Sequence, residues 1–225
     1  MNRVTWLGQA GLLFEFDTCT VMVDPYLSDS VKEIEPQNYR RVPVDETFFD
    51  IKPDILVFTH NHLDHYDPET AKLFLTADSG ITVLSPRSVW EKVRSFGGNN
   101  NYVCFNRRSS WTEKEVIFTA VKAEHSDLAA IGVVIDTGSK KYYVTGDTLY
   151  NEEIFSDLPD DIYALFLPIN GVGNNMNVCD ASCFAARVAP KYAVPVHFGM
   201  FDTKTADGFE FTNTIIPQIY KEIEL

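Results

Sequence analysis

The 225-residue chain is 45% hydrophobic and 13% aromatic, enough for a sizeable buried core in one α/β domain. Its formal net charge of −13 sets it against nucleic acid and anionic membrane surfaces unless a local site reverses the field. No apolar run approaches the roughly 20 residues that span a bilayer, "MNRVTWLGQAG" lacks the pattern of a secretory signal, and four cysteines with no C-x-x-C pair fit the reduced thiols of a cytoplasmic protein.

Taken in chain order, short runs rich in Val, Ile, Phe and Tyr predict strands. "RVTWL" and "LLFEF" read as a hairpin, and "TVMVD" follows, ending at Asp24. "DILVF" leads into a polar loop at Thr59. "DPETAKLFLTAD" predicts a helix with Pro68 at an early position and Leu73, Phe74 and Leu75 as its apolar stripe. "ITVLS" is the next strand, and "SPRSVWEKVRSFGG" a helix closed by glycines. The second half gives the strands "EVIFTAV", "GVVID", "KYYVT", "YALFLP" and "KYAVPV", with a helix from near Asp180 to Pro190. Cys179 and Cys183 in that segment read as packing residues. The tail from Phe209 to Leu225 reads as a helix interrupted at Pro217.

The two halves, about 1–105 and 106–225, echo each other. Each has a hairpin, then a strand ending in an aspartate (Asp24 or Asp147), and a later strand ending at Ser85 or His197. The echo predicts a single domain over 1–225 made of two sheets face to face with helices outside, a four-layer αβ/βα sandwich. Loops at the strand ends would meet along one edge, where α/β sites form.

The densest chemistry lies in Thr59–Asp67, "THNHLDHYD", which holds three of the chain's five histidines. Residues two apart in extended chain point the same way, so His60 and His62 aim at one point. Imidazole and carboxylate are ligands that divalent metals accept. From composition, H-x-H-x-D-H arises by chance in roughly two chains per ten thousand, which favours a metal site over an ordinary polar loop. His125, Asp147 and His197 also fall at or just beyond predicted strand ends.

"THNHLDH", His125, "GDT" and His197 together resemble the ordered motifs of the metallo-β-lactamase-fold hydrolases. "WLGQAG", "VDPYLSDS", "LPING", "NMN" and "VPVHFGMF" are similar to the L-ascorbate-6-phosphate lactonase subgroup. The resemblance implies that His60, His62 and His125 hold one metal and that Asp64, His65 and His197 hold a second, with Asp147 bridging. It places Asp24 behind the histidine loop as a hydrogen-bonding support, with capping of the "DPYL" turn as its other reading. Asp64 would also orient the nucleophile as the catalytic residue. Asn170 and Asn177 are candidate substrate contacts, against the reading of an ordinary turn. Spacing permits zinc, the His/Asp set also suits manganese or iron, and the lactonase resemblance implies manganese.

Two such cations would make the site about +1 within an acidic protein, admitting a small anionic substrate, with no nucleic acid or membrane partner. The expected chemistry is attack by a metal-bound hydroxide, opening a lactone of a sugar acid or sugar phosphate. The same centre would serve a phosphodiesterase on a small diester. A non-hydrolytic di-iron redox protein is disfavoured because His62 stands where that branch carries Glu, and an inactive metal-binding scaffold is disfavoured by the intact ligand set. Arg40, Arg41, Arg107, Arg108 and Lys204 are the candidate anion-gripping cations, against ordinary surface charge. A homo-oligomer is compatible with the sequence but not required by it.

Overall fold

The computed structural model describes residues 2–225. Twelve strands form two six-stranded sheets. The first contains β1 (Arg3–Gly8), β2 (Gly11–Glu15), β3 (Thr20–Val23), β4 (Ile55–Val57), β5 (Thr82–Ser85) and β6 (Asn101–Cys104), in that order. The second contains β7 (Ser110–Glu113), β8 (Val116–Lys122), β9 (Ile131–Asp136), β10 (Lys141–Val144), β11 (Ile162–Pro168) and β12 (Tyr192–Val196), ordered β12 to β7. The first sheet is antiparallel through β3 and parallel from β3 to β6; the second is antiparallel through β10 and parallel from β10 to β12. Among the described residues four α-helices accompany them: α1 (Ser30–Ile34), α2 (Pro68–Phe74), α3 (Arg87–Val93) and α4 (Val178–Val188).

Strand alternation explains the layers. One set of inward residues, including Trp6, Phe14, Val23 and Val57 from the first sheet and Phe118, Val133, Tyr142 and Phe166 from the second, makes the core between the sheets. Phe14 packs edge-on against Phe166 and Tyr142, each at 5.6 Å between ring centroids. The alternate residues Leu13, Met22, Leu56 and Val83 face α2 and α3 through Ala71, Phe74, Val89 and Val93. Tyr143, Leu165 and Leu167 face α4 through Ala181, Phe184 and Ala185. Both faces of each sheet are therefore buried, which makes the four-layer α/β sandwich of the metallo-β-lactamase fold.

Several local expectations are corrected. The edge strands β6 and β7 escape the sequence reading because their residues are only half-buried. Leu73 is exposed, and the buried face of α2 is Thr70, Ala71 and Phe74. Cys179 and Cys183 are exposed, on the side of α4 away from Ala181, Phe184 and Ala185. The tail forms no helix. Its backbone bonds β1 through Ile223 N to Val4 O (2.7 Å) and Tyr220 N to Trp6 O (2.7 Å), and β12 through Ile215 N to Ala193 O (2.9 Å). It covers strand edges that would otherwise expose unpaired peptide groups. No helix among the described residues is long and apolar enough to cross a membrane.

Candidate metal centre

The ends of β3, β4, β8, β10, β11 and β12 deliver Asp24, the His60–His65 loop, His125, Asp147, Asn170 and His197 to one rim of the sandwich. Potential ligand atoms of His60, His62, His125 and Asp147 lie within 4.8 Å of one another, as do those of Asp64, His65 and His197. Asp147 joins the two groups: its Oδ1 is 3.3 Å from His65 Nε2 and its Oδ2 is 3.3 Å from His197 Nε2. His197 Nε2 is also 3.3 Å from Asp64 Oδ2.

The ring nitrogens facing away from the centre have partners that fix each ring. His65 Nδ1 donates to Asp24 Oδ2 at 2.7 Å. The Thr59 hydroxyl donates to the same carboxylate oxygen at 2.5 Å, so its own oxygen is free to accept from His60 Nδ1, 3.0 Å away. Asp24 Oδ1 accepts the Thr59 backbone N–H at 2.8 Å. His125 Nδ1 lies 3.2 Å from the Asn174 carbonyl. The Asn170 amide lies 3.0 Å from His197 Nδ1, and its buried Oδ1 has no other partner. Turning that amide over lets Oδ1 accept from Nδ1–H, an orientation equally compatible with the amide's shape. His62 is reversed: Ser126 Oγ takes its Nε2 at 3.1 Å, leaving Nδ1 towards His125 Nε2 at 3.2 Å. Thus His60, His65, His125 and His197 present Nε2 inward and His62 presents Nδ1.

The donor set fits divalent cations on the structure's own terms. His60 Nε2 is buried with no hydrogen-bond partner, and Asp147 Oδ1 has none beyond its contact with the His65 ring. An unpaired buried polar atom costs about 1–3 kcal/mol, and a cation among these atoms supplies the missing partner. Burial pushes the imidazoles of His60 and His125 below the ordinary range, favouring the neutral form that ligates. Burial opposes charge on His65 and His197 as well, but Asp147 and its neighbouring carboxylates outweigh it. They hold His65 well above its usual range and His197 at about 9. Cation binding therefore competes with protons on those two rings.

Gln9 and Asp127 lie outside the sequence reading, and Asn175, in the "GVGNNMN" loop read as a substrate contact, supports a carboxylate instead. Gln9 Nε2 donates to Asp64 Oδ2 at 2.8 Å, and Gln9 O accepts the His197 N–H at 2.9 Å. Asn175 Nδ2 donates to Asp147 Oδ2 at 2.7 Å. Asp127 Oδ2 accepts from Asn61 N and from Ser88 Oγ, tying the histidine loop to the loop after β8 and to α3. Gln9, Asp24 and His197 all have positive φ (51°, 45° and 60°), a conformation uncommon for residues other than glycine and associated with functional sites. No sequence signal marks such backbone geometry at a histidine.

The weaker candidates divide. Asn170 lines the cleft but spends its amide on His197. Asn177 caps α4, accepting from Asp180 N at 3.0 Å, and does not line the cleft. Arg40 is buried against Tyr26 O and Tyr220, Arg41 lies over the Tyr39 ring, and Arg107 and Arg108 pair with Asp157. Lys204 alone of the five lines the cleft.

The two-sheet sandwich with a histidine–aspartate centre at its rim defines a metallo-β-lactamase-fold protein. The chain belongs to the beta-lactamase superfamily domain family, whose model matches residues 20–198, a span that includes all seven candidate ligands. It is similar to a UPF0173 metal-dependent hydrolase of Carboxydothermus hydrogenoformans, 28% identical over 220 residues covering 93% of this chain and 90% of that protein. Among solved structures, the metallo-beta-lactamase fold protein YhfI of Bacillus subtilis shares the fold with a TM-score of 0.73 and 18% identity, covering 98% of both chains. An isothiocyanate hydrolase from Delia radicum gut bacteria does so with a TM-score of 0.75 and 16% identity, covering 99% of this chain and 98% of that one.

Proposed function

We propose that this chain is a metal-dependent hydrolase that opens a lactone of a small acid, the sugar-acid and sugar-phosphate lactones being the group its motif resemblance implies. The observation that supports this most is the convergence of seven ligand-type side chains, with the buried His60 Nε2 left unpartnered among them. His60, His62, His125 and Asp147 would hold one divalent cation, and Asp64, His65 and His197 a second beside Asp147. When bound, such cations supply Lewis acidity and a water of lowered pKa. Nitrogen and oxygen donors without cysteine suit manganese as well as zinc.

The chain's own residues set the geometry. Gln9 holds Asp64 Oδ2 and Asp64 lines the cleft, where its carboxylate can orient a nucleophilic water. Asn175 steadies Asp147, and Asp24 and Thr59 lock the rings behind. The cleft, about 700 Å³, suits a small molecule rather than a polymer. We place the protein in the cytoplasm, with neither nucleic acid nor membrane as a partner.

The test is hydrolysis by protein loaded with manganese or with zinc, comparing sugar lactones and aryl lactones with bis(p-nitrophenyl) phosphate and using His62→Ala as the control. Lactone turnover that depends on the metal and is lost in the variant supports the reading. Turnover of the diester alone would replace it with a phosphodiesterase, and activity that survives in the variant would remove the assigned centre.

A further inference from the structure

The cleft beside the metal centre has walls of two chemistries. Its lining is polar at Gln9, His62, Asp64, Asp147, Asn175 and His197, and Glu35 and Asp202 add two further carboxylates. Its sides carry Val31, Leu63, Val172, Phe198 and Phe201. Of these, Val172 is 55% exposed. Val31 is buried and Leu63, Phe198 and Phe201 are half-buried, so together with the exposed Val172 they offer an apolar wall that a ligand can cover. A polyhydroxylated body would gain little there, so on the substrate's body the inference departs from the sugar lactones that the motif resemblance implies.

One cation lines the cleft, Lys204. Its position is built. Asp202 Oδ1 accepts both the Gly199 N–H (3.0 Å) and the Lys204 N–H (2.9 Å), fixing the loop after β12. The Lys204 ammonium donates to the Asn170 carbonyl, and the Asn170 side chain touches His197. Lys204 forms no ion pair among the described residues, a state it shares with Lys52 and Lys92, but unlike them it lines the cleft. An ammonium has three donors; one is used on the carbonyl, and the others are open to a ligand.

Resting on the hydrolase reading, we propose that the cleft takes an anionic lactone or ester with an apolar body. Its carboxylate or phosphate is held by Lys204, and its body lies against Val31, Val172 and Phe201. Lys204 is then a specificity-determining residue: it recognises a charge remote from the scissile bond, and the apolar sides select the group between.

The experiment uses four lactones on the manganese-loaded protein: γ-phenyl-γ-butyrolactone, its para-carboxyphenyl analogue, gluconolactone and its 6-phosphate. The carboxyphenyl compound should be the best substrate. Lys204→Gln should lower its kcat/KM roughly ten- to hundredfold, the range of a charge-assisted hydrogen bond, mainly through KM. The loss should exceed that for the neutral phenyl lactone by at least tenfold, and Lys204→Arg should recover most of it. Phe201→Ala should weaken both phenyl lactones more than both sugar lactones. A preference for the sugar phosphate would make the anion a phosphate on a polar body and overturn the apolar half. Equal losses on charged and neutral lactones would overturn the role of Lys204. If none of the four is turned over, the lactonase reading fails separately, and calorimetry with the carboxyphenyl hydroxy acid still decides. Binding that Lys204→Gln weakens supports the inference; binding indifferent to it, or absent, refutes it.

Discussion

Asp24 Oδ2 lies 2.7 Å from His65 Nδ1, and both side chains are fully buried. The same carboxylate takes the Thr59 hydroxyl and backbone N–H, so three donors converge on two oxygens. An asparagine offers one acceptor oxygen where the carboxylate offers two. Asp24→Asn should therefore free either the His65 ring or the Thr59 loop. Supporting residues of this kind are worth roughly ten- to hundredfold in metal affinity. Titration with a competing chelator should show that loss, with the folded content unchanged by circular dichroism.

Thr59 carries the Asp24 carboxylate's influence to a second ring, His60. Thr59→Val preserves the shape and removes the hydroxyl, so His60 loses the partner that fixes its Nδ1 proton. Nitrogen-15 NMR of the imidazoles should then show His60 as a mixture of tautomers, while Thr59→Ser should keep the single Nδ1–H form. An unchanged His60 tautomer in the valine variant would contradict the link.

Gly146 has φ +61°, and a Cβ built on it would sit 2.8 Å from Thr59 Cβ and 3.0 Å from the Ile131 carbonyl. Gly146→Ala combines a disfavoured backbone with a collision against the residue that steadies His60. A loss of about 2 kcal/mol or more is expected. It should be visible as a lower urea midpoint at constant slope, together with reduced metal content.

Asp157 tests electrostatics away from the centre. Burial raises its carboxyl pKa, but the Arg107 fork and the Lys122 N–H outweigh that and hold it below the ordinary value. A depressed folded-state pKa contributes stability above the unfolded value of about 3.9, and that stability is lost as pH falls through the folded value. Asp157→Asn should thus be destabilised at neutral pH. Its deficit relative to the parent should shrink as pH is lowered below about 4, measured by urea unfolding across that range.

Much of this arrangement was legible in the residues themselves. Runs such as "ALFLP" and "YAVPV" are almost wholly buried, and their composition alone marks them as core strands. The edge strand Ser110–Glu113 is half wet and reads as loop. The tail from Phe209 reads as a helix interrupted at Pro217, yet it lies along β1 and β12, where two open strand edges offer it backbone bonds that a helix broken at Pro217 would lose. In the site, His60 to His65 stand out because histidines rarely cluster. Gln9, Asn175 and Asp127 are ordinary polar types, and only the folded chain brings them to Asp64, Asp147 and Asn61.

The central claim is that seven imidazoles and carboxylates hold a pair of cations. Elemental analysis of the protein loaded with manganese or zinc and then dialysed tests it most directly. Two equivalents per chain are predicted for the parent, falling towards one in His125→Ala and in His65→Ala. Less than one equivalent in the parent under either loading, or two equivalents retained in both variants, would contradict it.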